Sequence, residues 1–366
     1  YHTGIVGKWH LNFQYLDAAS GEPVKRKKKK ALAPVGSIIP DGPIHRGFDY
    51  FHGFHHAGDM KGVIENDKVI AHEDEINMLP RLTRKAVEYI DGRAAADKTT
   101  PFFLYVPYGS PHSPVLPTER WQGKSGLNKH ADFVMETDDG VGQIMAALDR
   151  HGLTENTLFI FSADNGTSKG ANIPQLAAQG HKVSAGFRGS KADLWDGGHR
   201  VPFVARWPGK VAAGSSSDQL ICLVDLFATL SEITAGPLPS ASAEDSVSFL
   251  PALSGEPIVS TRAGVIHHSI SGHFAYRQGK WKLLLARGSG GWTAPKEKSI
   301  PAGTPVAQLY DMEADPGETT NLYASQPEIA ERLLTQLKSD ISRGRSTDGA
   351  EAKNDTNTIK LWKSGR

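Results

Sequence analysis

A chain of 366 residues, 39% hydrophobic and 22% charged, is long enough for two domains or for one large domain with a satellite. No apolar run in it approaches the roughly 18 residues of a membrane span, and its composition is not that of a disordered protein. Its 41 basic and 40 acidic residues give a net charge of +1, but six of the bases form one run, Lys25 to Lys30; elsewhere acids outnumber bases, which argues against a nucleic-acid-binding surface. One cysteine excludes an internal disulfide and any thiolate-rich metal site, and 38 glycines with 22 prolines favour a loop-rich fold over a helical bundle.

The chain opens on Tyr1 without a signal peptide and reaches Gly7-Lys8-Trp9-His10 within ten residues; it reads as a piece of something longer, with any targeting segment upstream. Leu82, Ala86, Tyr89 and Ile90 recur at helical spacing ahead of the apolar run Pro101 to Val106, which predicts a helix and then a buried strand. Val134, Val141, Ile144, Met145 and Leu148 mark a second helix, Gly152 caps it, and Leu158 to Phe161 is another buried strand. Strand, helix and strand in that order predict a parallel crossover unit. Val201 to Ala205, then a helix with Leu226, Phe227, Leu230 and Ile233 as its apolar face, continue the alternation.

Past residue 238 the texture changes. Phe274 to Arg277 and Trp281 to Leu285 predict one hairpin or one bent strand, Gln308 to Asp311 a further strand, and Pro327 to Lys338 a helix with Ile329, Leu333, Leu334 and Leu337 as its stripe. The expected organisation is an α/β domain over 1–258, a largely parallel sheet covered by helices, and a small α+β domain over 259–366 whose last twenty residues form a loose tail.

In open α/β sheets functional groups gather where strands end. After strand 101–106 comes Ser110-Pro111-His112-Ser113-Pro114, an imidazole between stiffening prolines. After strand 158–161 comes Ser162-Ala163-Asp164-Asn165-Gly166, two adjacent oxygen donors suited to a hard cation but too few to fill its shell. Arg188-Gly189-Ser190-Lys191 and Trp195 to Arg200 precede the next strand. Singly, each has an ordinary structural reading: a proline-stiffened loop, an Asp-Asn-Gly turn, surface lysines and histidines.

Taken together and in order, Gly7 to Leu11, Arg46 to Phe54, Pro111 to Pro114, Ser162 to Gly166, Arg188 to Lys191 with Asp196 to Phe203, and Leu309 to Met312 with Asp315 to Leu322 resemble the arylsulfatase-type sulfatases across essentially the whole chain. The resemblance implies an alkaline-phosphatase-like α/β domain followed by a small antiparallel-sheet domain. It implies hydrolysis of sulfate monoesters of a small molecule or glycan, calcium as cofactor, and a secreted or periplasmic location. By position, Asp164 and Asn165 match two calcium ligands, and Lys191 the lysine that holds the sulfate and leaving-group oxygens. Lys8 and His10 match the lysine and histidine beside the nucleophile, and His112 the histidine that contacts sulfate and protonates the leaving alcohol. Charge passing to the bridging oxygen of a sulfate ester calls for cations and an acid at that place. Asp59, His181 and His199 are placed along the substrate pocket, and Lys25 to Lys30 against a polyanionic glycan, with a solvated loop as the plainer account.

One departure from the family pattern stands out. These sulfatases use a formylglycine made from Cys or Ser in Cys/Ser-x-Pro-x-Arg, and that pattern does not occur in the 366 residues. Cys222 has Val224 and Leu226 where Pro and Arg are required, and reads as a buried structural thiol. In Ser325-Gln326-Pro327, Ile329 replaces the arginine. The expectation is that nucleophile and remaining calcium ligands belong to about a hundred residues upstream, and that this polypeptide alone is inactive. Two rivals remain at this point: a catalytically dead module that binds anionic glycans, and a phosphatase or phosphomutase of the same superfamily. Gly123-Lys124-Ser125 imitates a phosphate loop, but Thr118 stands where its first glycine must be.

Overall fold

The computed structural model describes residues 1–25, 31–97, 99–239, 242–259 and 262–363. Most of the basic run, residues 26–30, therefore lies outside the described residues. The chain divides into two compact units, one made of residues 1–154 and 170–181, the other of 155–169 and 182–366.

The first unit carries strands β1 (His2–Lys8), β2 (Tyr50–Phe54), β3 (Gly62–Glu65), β4 (Lys68–His72) and β5 (Phe102–Tyr105), and helices α1 (Met78–Ala96), α2 (Lys129–Arg150) and α3 (Ile173–Ala178). The strands form one mixed sheet in the order β4-β3-β2-β1-β5. β1 runs parallel to β2 and β5, while β3 pairs antiparallel with β2 and β4. Ile5, Phe51, Ile64 and Val69 form a core with Ala33 and Ile39 on one side of this sheet. Helix α1 packs against α2 and crosses β1 and β2, turning Leu82, Ala86 and Ile90 inward as their spacing predicts. Asn128 starts α2 by accepting the His130 and Ala131 N–H groups on its side chain.

The second unit carries strands β6 (Phe159–Ser162), β7 (Phe203–Arg206), β8 (Val265–His268), β9 (Phe274–Gln278), β10 (Trp281–Leu284) and β11 (Gln308–Asp311), and helices α4 (Asp196–His199), α5 (Asp225–Ile233), α6 (Leu250–Leu253) and α7 (Pro327–Arg343). β8 to β11 form an antiparallel sheet in the order β11-β10-β9-β8. The expected hairpin is β9–β10, turning at Gly279 with φ 53°. Helix α7 lays Ala330, Leu333, Leu334 and Leu337 on Phe274, Tyr276, Leu283 and Leu309.

Three expectations are corrected. The predicted crossover from β5 through α2 to β6 is not a parallel pair: β5 bonds to β1, and β6 to β7 in antiparallel register. An apolar run fixes a strand but not its partner, and β1 supplies the matching edge. On α5, Phe227 is exposed, and the buried residues are Asp225, Ala228 and Thr229. The reason is polar: Asp225 takes two hydrogen bonds from Arg262, at 2.6 and 2.7 Å, and others from the Cys222 and Val247 amides, which turns that face inward. The tail is not loose throughout, because Ile359, Leu361 and Trp362 pack on the α7 core. Cys222 itself is half-buried.

Candidate active site

In the first unit, the groups expected to do chemistry collect beyond the ends of β1, β2 and β5. The three strand ends continue as paired backbone: Lys8 N–H donates to the Pro107 carbonyl at 2.8 Å, Trp9 N–H to Phe54 at 3.0 Å and His10 N–H to His55 at 2.7 Å. That closeness requires glycine, since a Cβ on Gly53 would lie 1.8 Å from the Gly7 carbonyl oxygen and one on Gly7 2.2 Å from that of Pro107. His10 sits in the left-handed region, φ 61°, a costly conformation for a residue with a side chain. Its pKa is lowered, first by burial and then by Lys8, His56, His55 and His112 around it. The structure thus brings Lys8, His10 and His112 together, with two histidines that sequence reasoning does not single out.

The His112 loop is pinned from below. Tyr108 and Thr83 share a hydrogen bond at 2.8 Å, and Thr137 Oγ1 on α2 donates to Ser110 Oγ at 2.8 Å. Further along, Glu136 accepts from Thr118 N–H and Oγ–H, and the buried Asp132 accepts from Gly123 N–H and from Ser125 N–H and Oγ–H. Burial alone would raise the Asp132 carboxyl, but these bonds outweigh it and hold its pKa below the usual range. His112 is exposed, and its Nδ1 lies 2.6 Å from the Ser113 carbonyl oxygen. A carbonyl can only accept, so Nδ1 carries the hydrogen and Nε2 is the atom left to exchange a proton.

In the second unit, Asp164 and Asn165 follow β6, and the backbone ties them to the lysine. Gly166 N–H donates to the Gly198 carbonyl at 3.0 Å, and Lys191 N–H to the Thr167 carbonyl at 3.0 Å. A Cβ on Gly166 would lie 1.8 Å from the Gly197 carbonyl oxygen, so the two loops touch backbone to backbone. Asp193, fully buried, accepts the Ser190, Trp292 and Thr293 amides and the Thr293 hydroxyl, fixing the turn that carries Lys191. Beneath it, the buried Lys282 ammonium donates to Asp196 Oδ1 at 2.6 Å and Glu318 Oε1 at 2.8 Å, while Glu318 Oε2 accepts the Asp196 amide at 2.6 Å. Burial raises the Glu318 carboxyl, with Lys282 opposing.

The remaining pocket candidates scatter. Asp59 is buried beside His55 and His56 in the first unit. His181 is exposed, close to His130 on α2. His199 packs against His267 in the second unit, ring centres 4.2 Å apart and planes tilted by 52°, and its pKa is pushed down to about 4, by burial and then by Lys282. Sequence reasoning missed His55, His56 and Lys282. The first two had a readable signal, His-His-x-x-Asp at ligand spacing; Lys282 had none, being one lysine inside a strand.

Comparison with known proteins sharpens the picture. Residues 1–236 match the family model described as Sulfatase. The chain is 29% identical over 399 aligned positions to the N-acetylgalactosamine-6-O-sulfatase of Bacteroides thetaiotaomicron, covering 94% of this chain and 75% of that protein. It is 29% identical to arylsulfatase A of Bos taurus, covering 92% of this chain and 68% of that one. A solved structure from a study of glycosaminoglycan metabolism by Bacteroides thetaiotaomicron superposes with a TM-score of 0.76 at 26% identity, covering 94% and 80% of the two chains. The likeness bears out the alkaline-phosphatase-like α/β class with its C-terminal antiparallel sheet.

Proposed function

The chain belongs to the sulfatase family, and from that premise we propose that it serves the hydrolysis of sulfate monoesters carried on a glycan. The observation that supports this best is the clustering of Lys8, His10 and His112 beyond the ends of β1, β2 and β5. In this reading His112 delivers the proton to the departing alkoxide through Nε2, its Nδ1 being committed to the Ser113 carbonyl. Lys8 and His10 stand beside the nucleophile, and Lys191 neutralises charge on the sulfate and the leaving oxygen. The glycan substrate is supported by the names of the relatives, among them a 6-O-sulfatase of N-acetylgalactosamine.

Asp164 and Asn165 present only oxygen donors on a clamped loop, which fits a hard cation as part of its shell. They would hold calcium, whose charge stabilises the sulfate oxygens. Calcium takes about six to eight oxygens, so its other ligands come from elsewhere. The nucleophile does too, since Cys/Ser-x-Pro-x-Arg is not among these residues. Asp59, His181 and His199 are substrate contacts in the same proposal, and export from the cytoplasm follows from it.

The test is hydrolysis of 4-nitrophenyl sulfate and of 6-sulfated N-acetylgalactosamine, by the 366-residue chain and by the product of the whole reading frame that contains it. We expect no turnover by the former and calcium-dependent turnover by the latter, reduced about 10²- to 10³-fold in kcat by Lys191→Ala. Turnover by the 366 residues alone would show that the nucleophile lies among them. A whole product that binds sulfated glycan without cleaving it would replace the hydrolase with the binding-module reading.

A further inference from the structure

We propose that His55, His56 and Asp59 form a binding site for zinc or a similar borderline divalent cation, separate from the oxygen donors Asp164 and Asn165. Their ligand atoms all lie within 4.8 Å of one another, and His55 Nδ1 is 3.6 Å from Asp59 Oδ2. Two ligands at zinc bond lengths of about 2.0–2.1 Å and tetrahedral angles sit about 3.3 Å apart, so this pair is nearly in place. The local chain explains why: His55 ends the run beyond β2, and the 3₁₀ turn Ala57–Asp59 brings Asp59 back over it.

The second observation is the state of His55. The residue is only 8% exposed, yet neither of its ring nitrogens has a hydrogen-bond partner. A buried polar group left that way is costly and rare, and coordination to a bound ion removes the cost. Phe13 packs on the His55 ring at 4.5 Å and the Tyr15 ring lies at 6.4 Å, walling the imidazole from solvent. Asp59 is 3% exposed, so its carboxylate faces the two rings out of contact with solvent. The donor set decides the metal: two imidazoles with one carboxylate suit zinc, whereas calcium and magnesium take oxygens.

Binding entails one exchange. His56 Nδ1 accepts the Asp59 amide hydrogen at 3.1 Å, a bond that ligation of His56 breaks, leaving the amide on the His56 carbonyl at 2.9 Å. Three protein ligands leave the fourth zinc position open for water or an anion. Lys8 and His10 nearby oppose a further cation, so the Asp59 charge is essential to the site rather than incidental.

The experiment is titration of the metal-stripped 366-residue chain with zinc chloride, followed by calorimetry, and with cobalt chloride, followed by its visible absorption. The expected result is one equivalent per chain with the intense visible bands of tetrahedral cobalt, and displacement of the Asp59 amide resonance. His55→Gln and Asp59→Asn are each expected to weaken binding at least tenfold, while the exposed His45→Gln leaves it unchanged. If His55→Gln fails to fold, His56→Gln, whose ring is not a core group, carries the same expectation. Binding unaltered by Asp59→Asn and His56→Gln, or no saturable equivalent at all, overturns the site and assigns any residual zinc to surface histidines. The outcome is independent of sulfate-ester turnover.

Discussion

Two buried basic side chains, one in each unit, contrast. Lys282 is 0% exposed, with its ammonium shared between two carboxylates at 2.6 and 2.8 Å. His55 is nearly as deep and has no hydrogen-bonded partner on its ring. The first is a closed ion network whose work is done within the fold: it holds the Asp196–His199 turn whose glycines clamp the Asp164 and Lys191 loops. The second stands beyond the end of β2 with His56 and Asp59, their ligand atoms within 4.8 Å of one another. In the second unit, then, the candidate residues are placed by backbone contact and buried charge. In the first they are placed by strand ends.

The contrast breaks most visibly at Lys282. Replacing it by Met leaves Asp196 and Glu318 buried without their cation, and the second unit is expected to lose about 3–5 kcal/mol, measured as a fall in the urea midpoint with protection of the β9–β10 amides. The defect should shrink toward acid pH, where the raised Glu318 carboxyl protonates first. Hydrophobic replacement of all three charges, with Met for Lys282 and Leu or Met for the acids, should recover much of the loss. A Lys282→Met protein as stable as the parent would mean that the network is not closed in solution.

Acid is next in effect, and it acts on the second unit through histidines. His199 is held at about 4, and His267 well below its usual value, both mainly by burial. Their folded pKa values lie below the unfolded value of about 6.5, so the unfolded chain binds more protons between those limits. Stability contributed by the neutral rings is complete above pH 6.5 and is lost as pH falls toward 4. Unfolding followed against pH should show that slope, and His199→Gln should flatten it. Lys282→Met should raise the His199 pKa by NMR titration, since the ammonium is its second depressing influence.

How much of this was legible depends on whether a feature is local. The hairpin around Gly279 and the α7 stripe were readable because alternation, a turn glycine and Pro327 at the helix start are all short-range signals. His112, Asp164 and Asn165 were found because each follows a predicted strand, whereas Lys8, His10 and Lys191 were found only through the ordered motifs that resemble the sulfatases, since the strand ending at Lys8 was not predicted. The partner of β5 was not readable, since hydrophobic runs do not encode which edge they join. Neither was the inward face of α5, where Asp225 is drawn in by Arg262, 37 residues away. Lys282 was invisible for the same reason: its carboxylates lie 86 and 36 residues distant.

In the first unit the effects are smaller, because the buried carboxylates under its candidate site, Asp132 and Glu136, accept from neutral amides and hydroxyls. Asp132→Asn keeps one acceptor oxygen but sets an NH2 group against an N–H donor at the other, Gly123 or Ser125, and is expected to cost about 1–3 kcal/mol. The loss should be complete above about pH 4 and vanish as pH falls through the lowered Asp132 pKa, because the parent then loses the same carboxylate.

Smallest is the start of α2. Asn128 caps the His130 and Ala131 amides through Oδ1, and its Nδ2 donates to the Ala171 carbonyl at 3.0 Å. Asn128→Ala removes both functions and should cost about 1 kcal/mol, with faster hydrogen exchange confined to the first turn of α2 and to residues 171–176. Asn128→Asp separates the two: a carboxylate still caps and suits the positive helix end, but cannot donate to Ala171. If Asp restores the helix start without restoring protection around Ala171, the cap and the tether are independent; protection at both places would mean that capping alone orders this side of the unit.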